Sequence, residues 1–308
     1  MTRWSAALTH AGIRSPQLRE DYDAQRRLVR RFDRHAYLAA RLLLPSRFHP
    51  LVVAAVAFMH HTDELIDSGD VNTRQETLRS WSHQVTEALH QGSDQSVLRA
   101  LADTVRRSQH MADRVRDFLD GATVEAAWTG FRTEDDFQAY VRRYSLPALM
   151  LTASLFAPPP GSDRDAPFHQ GCLKLIEAWQ RIDHLADLRE DAENDKIGIP
   201  LLSLAEYGLK PEDLRRRPSN DPAVSLLVRA QADLAGHALG ECRTLPDLVE
   251  DEFRPFVRTL ISMQELRLEA LRRAGGAVLE EDEVRPSAVA AVRVLARQTA
   301  VAWRMRRR

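Results

Sequence analysis

Several features that would narrow the function of this 308-residue chain are absent from its sequence. Two cysteines, Cys172 and Cys242, are too few for a disulfide framework and form no CxxC pair. The longest apolar run, residues 51–59, is far shorter than the roughly 20 residues of a membrane-spanning helix. The amino terminus lacks the apolar core of a secretion signal. We therefore expect a cytoplasmic protein without a transmembrane segment.

An excess of either charge is also missing. The formal net charge is −1, which argues against a polycation that binds nucleic acid. Hydrophobic residues make up 44% of the chain and charged residues 28%, as in ordinary globular proteins. The carboxyl-terminal sequence RMRRR, residues 304–308, is basic but short. We interpret it mainly as a solvated helix end, with weak contact to an acidic membrane surface as the alternative.

The pattern that is present is helical. Apolar residues recur at spacings of three and four, while strand-like alternation and phosphate-binding glycine loops are absent. Pro147 is expected to kink the helix that contains it. Because no linker is long enough to divide the chain, residues 1–308 are predicted to form one all-α domain. The predicted helices cover residues 18–44, 50–68, 73–91, 94–119, 134–157, 166–192, 222–244, 250–273 and 286–304.

Two clusters of acids interrupt this pattern. Asp63 and Asp67 follow the apolar run of their helix, and Asp183, Asp187 and Asp191 repeat the same spacing later in the chain. Residues four apart point the same way on a helix, and like charges at that spacing destabilise it. A solvated helix face explains most single DxxxD patterns. Two such patterns, each within an apolar helix, favour a shared site instead.

A hard divalent cation is the predicted neutralising partner. Neither Arg189 nor Lys196 lies on the acidic face of the second helix. Mg²⁺ binds one or two carboxylates and completes its shell with water and substrate phosphate oxygens. Two carboxylate helices facing each other can therefore hold a diphosphate through several Mg²⁺ ions, which stabilise it as a leaving group.

Three stretches carry a recognisable combined pattern: HAYLAARLLLPSRFHPLVVAAVAFMHHTDELID at 35–67, QRIDHLADLREDAENDKIGIP at 180–200, and the segment around Tyr140, DFQAYVRRYSLPALML. They resemble the squalene/phytoene synthase family. The resemblance implies an isoprenoid-synthase fold, a single helical bundle around a central apolar cavity. It also implies allylic prenyl diphosphate substrates bound through Mg²⁺. Most members of the family join two such substrates head to head.

The resemblance also implies roles for individual residues. Asp63 and Asp67 would bind metal from one wall of the cavity. Asp187 and Asp191 would do so from the other, where Asp183 replaces the family's asparagine and would add a ligand. Gln180 and Tyr140 would lie near the reacting carbons.

His60 replaces an arginine of the family. A positive or hydrogen-bonding role toward diphosphate is the favoured interpretation, and a proton acceptor is the alternative.

Departures from the family pattern change the expected reaction. Ala36 and Ala186 stand where the family has diphosphate-binding side chains, and a further arginine aligns loosely with residues 280–283. Leu146 and Ile176 stand where the family has small residues, so they are expected to narrow the cavity. Weaker binding and less room favour a terpene synthase that ionises one farnesyl or geranylgeranyl diphosphate. Head-to-head condensation to a squalene- or phytoene-like product, and a non-catalytic helical interaction protein, are the alternatives.

Aromatic side chains are expected to line the same pocket. In a terpene synthase they would shield carbocations by cation–π contact, with ordinary core packing as the alternative for each. The predicted substrate-contacting residues, aromatic and aliphatic together, are Phe58, Tyr140, Tyr144, Leu146, Ile176 and Trp179.

Overall fold

The computed structural model describes residues 3–67, 69–216, 220–280 and 284–306, and these ranges contain helices and no β-strand. The all-α prediction is confirmed. The α-helices of these ranges are α1 (Arg3–His10), α2 (Pro16–Phe32), α3 (Arg34–Leu43), α4 (His49–Ile66), α5 (Val71–Gln91), α6 (Ser96–Arg107), α7 (Met111–Ala126), α8 (Glu134–Tyr140), α9 (Leu146–Ala153), α10 (Asp165–Ala186), α11 (Leu188–Glu193), α12 (Leu201–Glu206), α13 (Pro211–Arg216), α14 (Pro222–Glu241), α15 (Leu245–Leu248), α16 (Arg254–Ala274) and α17 (Ala288–Met305).

Three predicted helices are broken in the structure. The predicted helix over 18–44 divides at Asp33, whose extended backbone and side chain cap the start of α3 by accepting a hydrogen bond from the Ala36 N–H at 2.8 Å. The helix over 94–119 divides between α6 and α7. The helix over 166–192 divides at Asp187, between α10 and α11. Short helices that the periodicity did not predict are α1, α12, α13 and α15.

A π-helical turn, residues 141–145, joins α8 to α9 just before Pro147. Proline has no N–H to donate to the carbonyl four residues earlier, which belongs to Arg143. The Arg143 carbonyl lies against α7, where a Cβ built on Gly121 would be only 2.3 Å from its oxygen. The predicted kink at Pro147 therefore takes the form of a wide turn, packed against a glycine that lets the two backbones approach.

Helix α4 is the centre of the bundle. It packs against α2 and α6 on one side and against α5 and α9 on another. Its residues contribute to both hydrophobic clusters of the described chain, a large one and a smaller amino-terminal one. Helix α10 packs along α14 and α16 and also contacts α9, so α9 lies between the two predicted acidic helices. The extent of the domain, residues 1–308, stays a prediction.

The carboxyl-terminal helix α17 packs on α16 and α3. No helix in the described ranges has both the length and the hydropathy needed to cross a bilayer.

Candidate active site

The first acidic wall is the last turn of α4. Asp63 is partly buried there, and Asp67 caps the helix at its solvent end. The Tyr144 hydroxyl, from the π-helical turn, donates a 2.7 Å hydrogen bond to Asp63 Oδ1. The predicted pocket residue Tyr144 thus contacts a predicted metal ligand directly.

A third carboxylate belongs to this wall and was missed in the sequence. Glu125 of α7 accepts a 2.5 Å hydrogen bond from the Tyr140 hydroxyl. The predicted helix over 94–119 ends before Glu125, so the sequence gives no reason to place this acid on the first wall. Its place depends on the approach of the π-helical turn to Gly121, one turn earlier on α7, which local pattern does not reveal.

The acids of the first wall are crowded. Burial raises the pKa of Asp63 to about 7; the Tyr144 hydrogen bond opposes this, and the charges of Asp67 and Glu125 add to it. Burial likewise raises the pKa of Glu125. Asp67 reaches solvent, yet desolvation by its surroundings raises its pKa against the opposing charges of Lys196 and Arg74.

The second wall runs from the end of α10 into α11. The helix break at Asp187 does not disperse the acids, because the helical hydrogen bonds continue across it. The N–H of Asp187 donates to the Asp183 carbonyl at 2.9 Å, and the N–H of Asp191 donates to the Asp187 carbonyl at 2.8 Å. Asp187 is exposed and Asp191 is partly buried. The three acids therefore keep the stacked spacing that the sequence predicted.

Asp183 has a cationic partner in the structure. Arg267 of α16 forms a 2.5 Å ion pair with Asp183 Oδ1, and the Trp179 side chain also hydrogen-bonds to this carboxylate. Burial still raises the pKa of Asp183 to about 6. The assignment of Asp183 as a metal ligand stays a prediction. Trp179, which was predicted to contact substrate, contacts the Asp183 carboxylate.

Lys196 connects the two walls electrostatically. Its N–H donates to the Asp191 carbonyl at 2.9 Å. Burial raises the pKa values of Asp191, Asp67 and Glu125, and the charge of Lys196 opposes the rise in all three. Lys196 is off the acidic helix face in the sequence, but the chain turns back after α11, and its charge then acts on acids of both clusters.

The segment that follows Lys196 is fixed to the segment that follows α7. The N–H groups of Leu201 and Leu202 donate to the carbonyls of Phe131 and Arg132 at 3.0 and 3.1 Å. These backbone bonds hold the end of the second wall against the chain that carries Glu125 and Tyr140.

Arg74 of α5 is a further cation of this region. Its charge opposes the rise that burial causes in the pKa values of Asp67 and Glu125. Its Nη2 donates to the Trp128 carbonyl at 3.4 Å, and its buried Nε has no hydrogen-bond partner in the structure. The candidate site therefore has two cations, Lys196 and Arg74, whose charges act on its acids. The candidate carboxylates are Asp63, Asp67, Glu125, Asp187 and Asp191.

The three histidines that neighbour the acids in the sequence, His60, His61 and His184, lie in different surroundings. His60 stacks on Phe32 with ring centroids 3.5 Å apart, and its Nε2 lies 3.3 Å from Glu64 Oε1. His61 packs edge-on against Trp81. His184 lies among aromatic rings and against Gly198, and burial lowers its pKa to about 4.

The remaining predicted residues lie in different places. Phe58 and Ile176 are buried in the large hydrophobic cluster. Gln180 is partly buried one turn before His184 and shares a helix face with Asp183 and Asp187. Leu146 is buried in the same cluster and borders a groove between α7, α9 and α10, together with Arg114 and His169 among others.

Several parts of the prediction are not tested by this geometry. The central cavity stays a prediction. Residues 281–283 of the predicted arginine region lie outside the described residues. Within the described part of the chain, no three His, Cys, Asp or Glu side chains are arranged as a metal site.

The raised pKa values predict a pH-dependent stability. Asp63 and Asp191 have folded-state pKa values of about 7, above the ordinary value of 3.8. The folded protein therefore holds more protons than the unfolded chain between these limits, so its stability falls as the pH rises from about 4 to about 7. We expect Asp63→Asn to flatten this dependence and to raise the melting temperature at pH 8 by a few degrees.

The measurement is thermal unfolding from pH 4.5 to 8 in the absence of divalent ions. Asp135→Asn, on an exposed position of α8, is the control and should leave the curve unchanged. A wild-type curve that rises through this window would contradict the prediction.

Comparison with known proteins gives a consistent result. A sequence profile described as squalene/phytoene synthase matches residues 29–295. The bifunctional protein CrtB/UppS of Streptomyces coelicolor is 31% identical over 252 residues, which is 81% of this chain and 43% of that protein. The chain thus spans less than half the length of that relative. The phytoene synthase of Mycobacterium tuberculosis is 29% identical over 239 residues, or 75% of this chain and 76% of the relative.

Two solved structures share the fold. The squalene synthase HpnC of Alicyclobacillus acidocaldarius has a TM-score of 0.75 at 22% identity, covering 86% of this chain and 98% of that one. A dehydrosqualene synthase crystallised with a ligand has a TM-score of 0.79 at 20% identity, covering 92% and 96%. The predicted architecture, the helical fold of these synthases, is confirmed.

Proposed function

The chain belongs to the squalene/phytoene synthase family, and on this basis we propose that it is an Mg²⁺-dependent enzyme that ionises allylic prenyl diphosphates and joins two of them head to head. The observation that carries the proposal is the pair of acidic walls, one at the end of α4 and one from α10 into α11, with the chain after the second wall held by the Leu201 and Leu202 N–H groups against the chain after α7. Carboxylates of these walls would hold the metal ions that neutralise a diphosphate.

The donor set fits Mg²⁺. All the candidate ligands are carboxylates, which are hard oxygen donors, and burial raises the pKa values of Asp63, Asp67 and Asp191. Asp63 and Asp67 would hold metal from the first wall, and Asp187 and Asp191 from the second. Bound Mg²⁺ would neutralise charge on the departing diphosphate. Asp183 is left out of this set of metal ligands, because Arg267 already pairs with its carboxylate.

The protein's own groups have defined tasks in this reaction. The carbon–oxygen bond of one substrate breaks with its electron pair left on the diphosphate oxygen, and the allylic carbon becomes a cation. Lys196 and Arg74 would stabilise the diphosphate charge. Tyr140 and Tyr144 are held by Glu125 and Asp63, so their rings are fixed at the site, where their faces can shield the cation.

Two observations bear on the choice between one substrate and two. The predicted loss of diphosphate-binding groups is offset by Lys196 and Arg74, whose charges oppose the raised pKa values of Asp67 and Glu125. Leu146 is buried in the large hydrophobic cluster and borders a groove between α7, α9 and α10, so its place in the substrate cavity stays a prediction. Ile176 remains a large buried side chain where the family has a small residue. It favours the second candidate, a terpene synthase that ionises a single prenyl diphosphate.

The test is incubation with Mg²⁺ and geranyl, farnesyl or geranylgeranyl diphosphate, with release of diphosphate and product mass measured together. A product with twice the carbons of the substrate supports head-to-head joining. A product with the same carbon count supports the one-substrate reaction. Absence of diphosphate release from all three substrates, or undiminished release with excess EDTA, would contradict the proposal.

Ile176 gives a prediction about product choice. We expect Ile176→Ala to change the ratio of products by at least about fivefold, because removal of buried side-chain volume alters discrimination by roughly 1–3 kcal/mol. Leu226→Ala, which truncates a leucine of α14 that is 53% exposed, should leave the ratio unchanged. Chromatography of the hydrocarbon products, with diphosphate release as the rate control, makes the comparison. An equal change in both variants would mean that Ile176 does not shape the substrate pocket.

A further inference from the structure

Arg181, on α10, is a buried cation that has no part in the proposed reaction. Only 3% of its side chain is exposed. It points away from Asp183, because positions two residues apart lie about 200° apart around a helix. A buried charge is costly unless it is paired and hydrogen-bonded. The role of Arg181 therefore follows from the helices that supply its partners.

The partners of Arg181 come from three helices. Arg181 forms an ion pair with Glu134 in the first turn of α8, and its Nη2 donates to Glu177 Oε1 of α10 at 3.2 Å. Its Nη1 donates to Gln231 Oε1 of α14 at 3.3 Å. Glu177 also accepts a 2.8 Å hydrogen bond from Gln138 Nε2, one turn further along α8. Two successive turns of α8 are therefore bonded to α10.

The Arg181 guanidinium also packs at one end of a row of aromatic rings that leads to Tyr140. It lies over the Phe137 ring, 4.3 Å from the centroid. Phe137 packs edge-on against Phe131 with centroids 5.5 Å apart, and Phe131 packs edge-on against Tyr140 at 5.2 Å. The Tyr140 hydroxyl in turn donates to Glu125 of α7. A displacement of the Arg181 side chain would therefore reach the Tyr140 ring through packed neighbours.

We propose that Arg181 is a positioning residue for Tyr140: by bonding α8 to α10 and α14, it sets where the Tyr140 ring stands beside the first acidic wall. Gln138 and Tyr140 lie about 200° apart around α8. One face of this seven-residue helix is thus bonded to α10, and the opposite face, through the Tyr140 hydroxyl, to α7. So short a helix has little stability of its own, and its place depends on such contacts. The inference rests on the proposed reaction, in which the Tyr140 ring shields the cation.

The test is a double-mutant cycle between Arg181→Met and Tyr140→Phe. It measures diphosphate release with Mg²⁺ from whichever of geranyl, farnesyl and geranylgeranyl diphosphate the wild type uses fastest. We expect Arg181→Met alone to lower kcat by about tenfold with little change in KM, because displacement of a group at the reacting centre costs rate. In the Tyr140→Phe background, where the ring has already lost its bond to Glu125, the same change should lower kcat by less than about twofold.

The matched control is Arg99→Met. Arg99 of α6 forms a 2.6 Å ion pair with Asp21 of α2, whose side chain is 2% exposed, so this variant also takes a partner from a buried carboxylate. Its effect on kcat should be the same in both backgrounds. Glu134→Gln replaces Arg181→Met if the latter does not fold, because the Glu134 side chain is 41% exposed and its loss of charge leaves Arg181 in place. It should show the same non-additivity with Tyr140→Phe at smaller size.

Hydrogen exchange provides a readout that does not need the reaction. Measured at the same interval below each melting temperature, the amides of residues 134–145 should exchange at least about fivefold faster in Arg181→Met than in Arg99→Met. Equal exchange in the two variants would overturn the proposal, and so would an equal loss of kcat from Arg181→Met in both backgrounds. A wild type that releases no diphosphate would contradict the proposed reaction instead, and the exchange comparison alone would then decide whether Arg181 holds α8.

Discussion

Asp187→Ala is expected to lower turnover by about a thousandfold while the protein remains folded. Asp187 lies exposed at the junction of α10 and α11, one turn from both Asp183 and Asp191. It is a proposed ligand, so its loss removes one anion from the group that would hold the metal ions. Asp63→Asn should have an effect of the same size. The amide keeps an oxygen that accepts the Tyr144 hydrogen bond, so the variant removes charge and preserves the contact.

The measurement is steady-state release of diphosphate at saturating substrate, with Mg²⁺ varied. Asp135→Ala, which removes an exposed acid from α8, should retain wild-type turnover. Circular dichroism and a melting curve establish that each variant is folded. If Asp63→Asn or Asp187→Ala kept turnover near that of the wild type, the two-wall site would be wrong.

Gly121→Ala is expected to destabilise the protein by about 1–3 kcal/mol. The added Cβ would meet the Arg143 carbonyl oxygen at 2.3 Å, and this neighbour is backbone that cannot rotate away. Relief requires that α7 and the π-helical turn separate. Glu125 is one turn along α7, and its partner Tyr140 immediately precedes that turn. We therefore expect turnover to fall together with the melting temperature.

Gly240→Ala is the matched control. Gly240 is also helical, within α14, and no atom lies within 4 Å of a Cβ built on it. Replacing it should stabilise the protein slightly, because alanine loses less conformational freedom than glycine on folding. Chemical unfolding of both variants gives the comparison. Equal stability of the two would show that α7 and the π-helical turn tolerate separation.

The sequence predicted the elements that local pattern determines. Spacing alone placed the acids on shared helix faces, and their stacking survives the break at Asp187. Pro147 predicted a kink for a chemical reason, the missing N–H. Its form, a π-helical turn, depends on Gly121 in a different helix, which local pattern does not reveal.

The partners of the acids could not be predicted in the same way. Arg267 is far from Asp183 in the chain and meets it only because α16 packs on α10. Lys196 follows α11 by a few residues, but its effect on Asp67 and Glu125 requires the turn of the backbone that brings the two walls together. Asp33 shows a limit of prediction from local sequence, because an aspartate can either continue a helix or cap the start of the next one.

The position of Lys196 also has a consequence for synthesis of the protein. The residue leaves the ribosome roughly 130 residues after Asp63, a delay of about 7–26 s at about 5–20 residues per second. During that interval the acids of α4 and α7 have been made, but the lysine has not. The backbone bonds from Leu201 and Leu202 to the segment after α7 form later still. The nascent chain must therefore carry the first acidic wall without this cation, and the two walls come together only after the second half of the chain has begun to emerge.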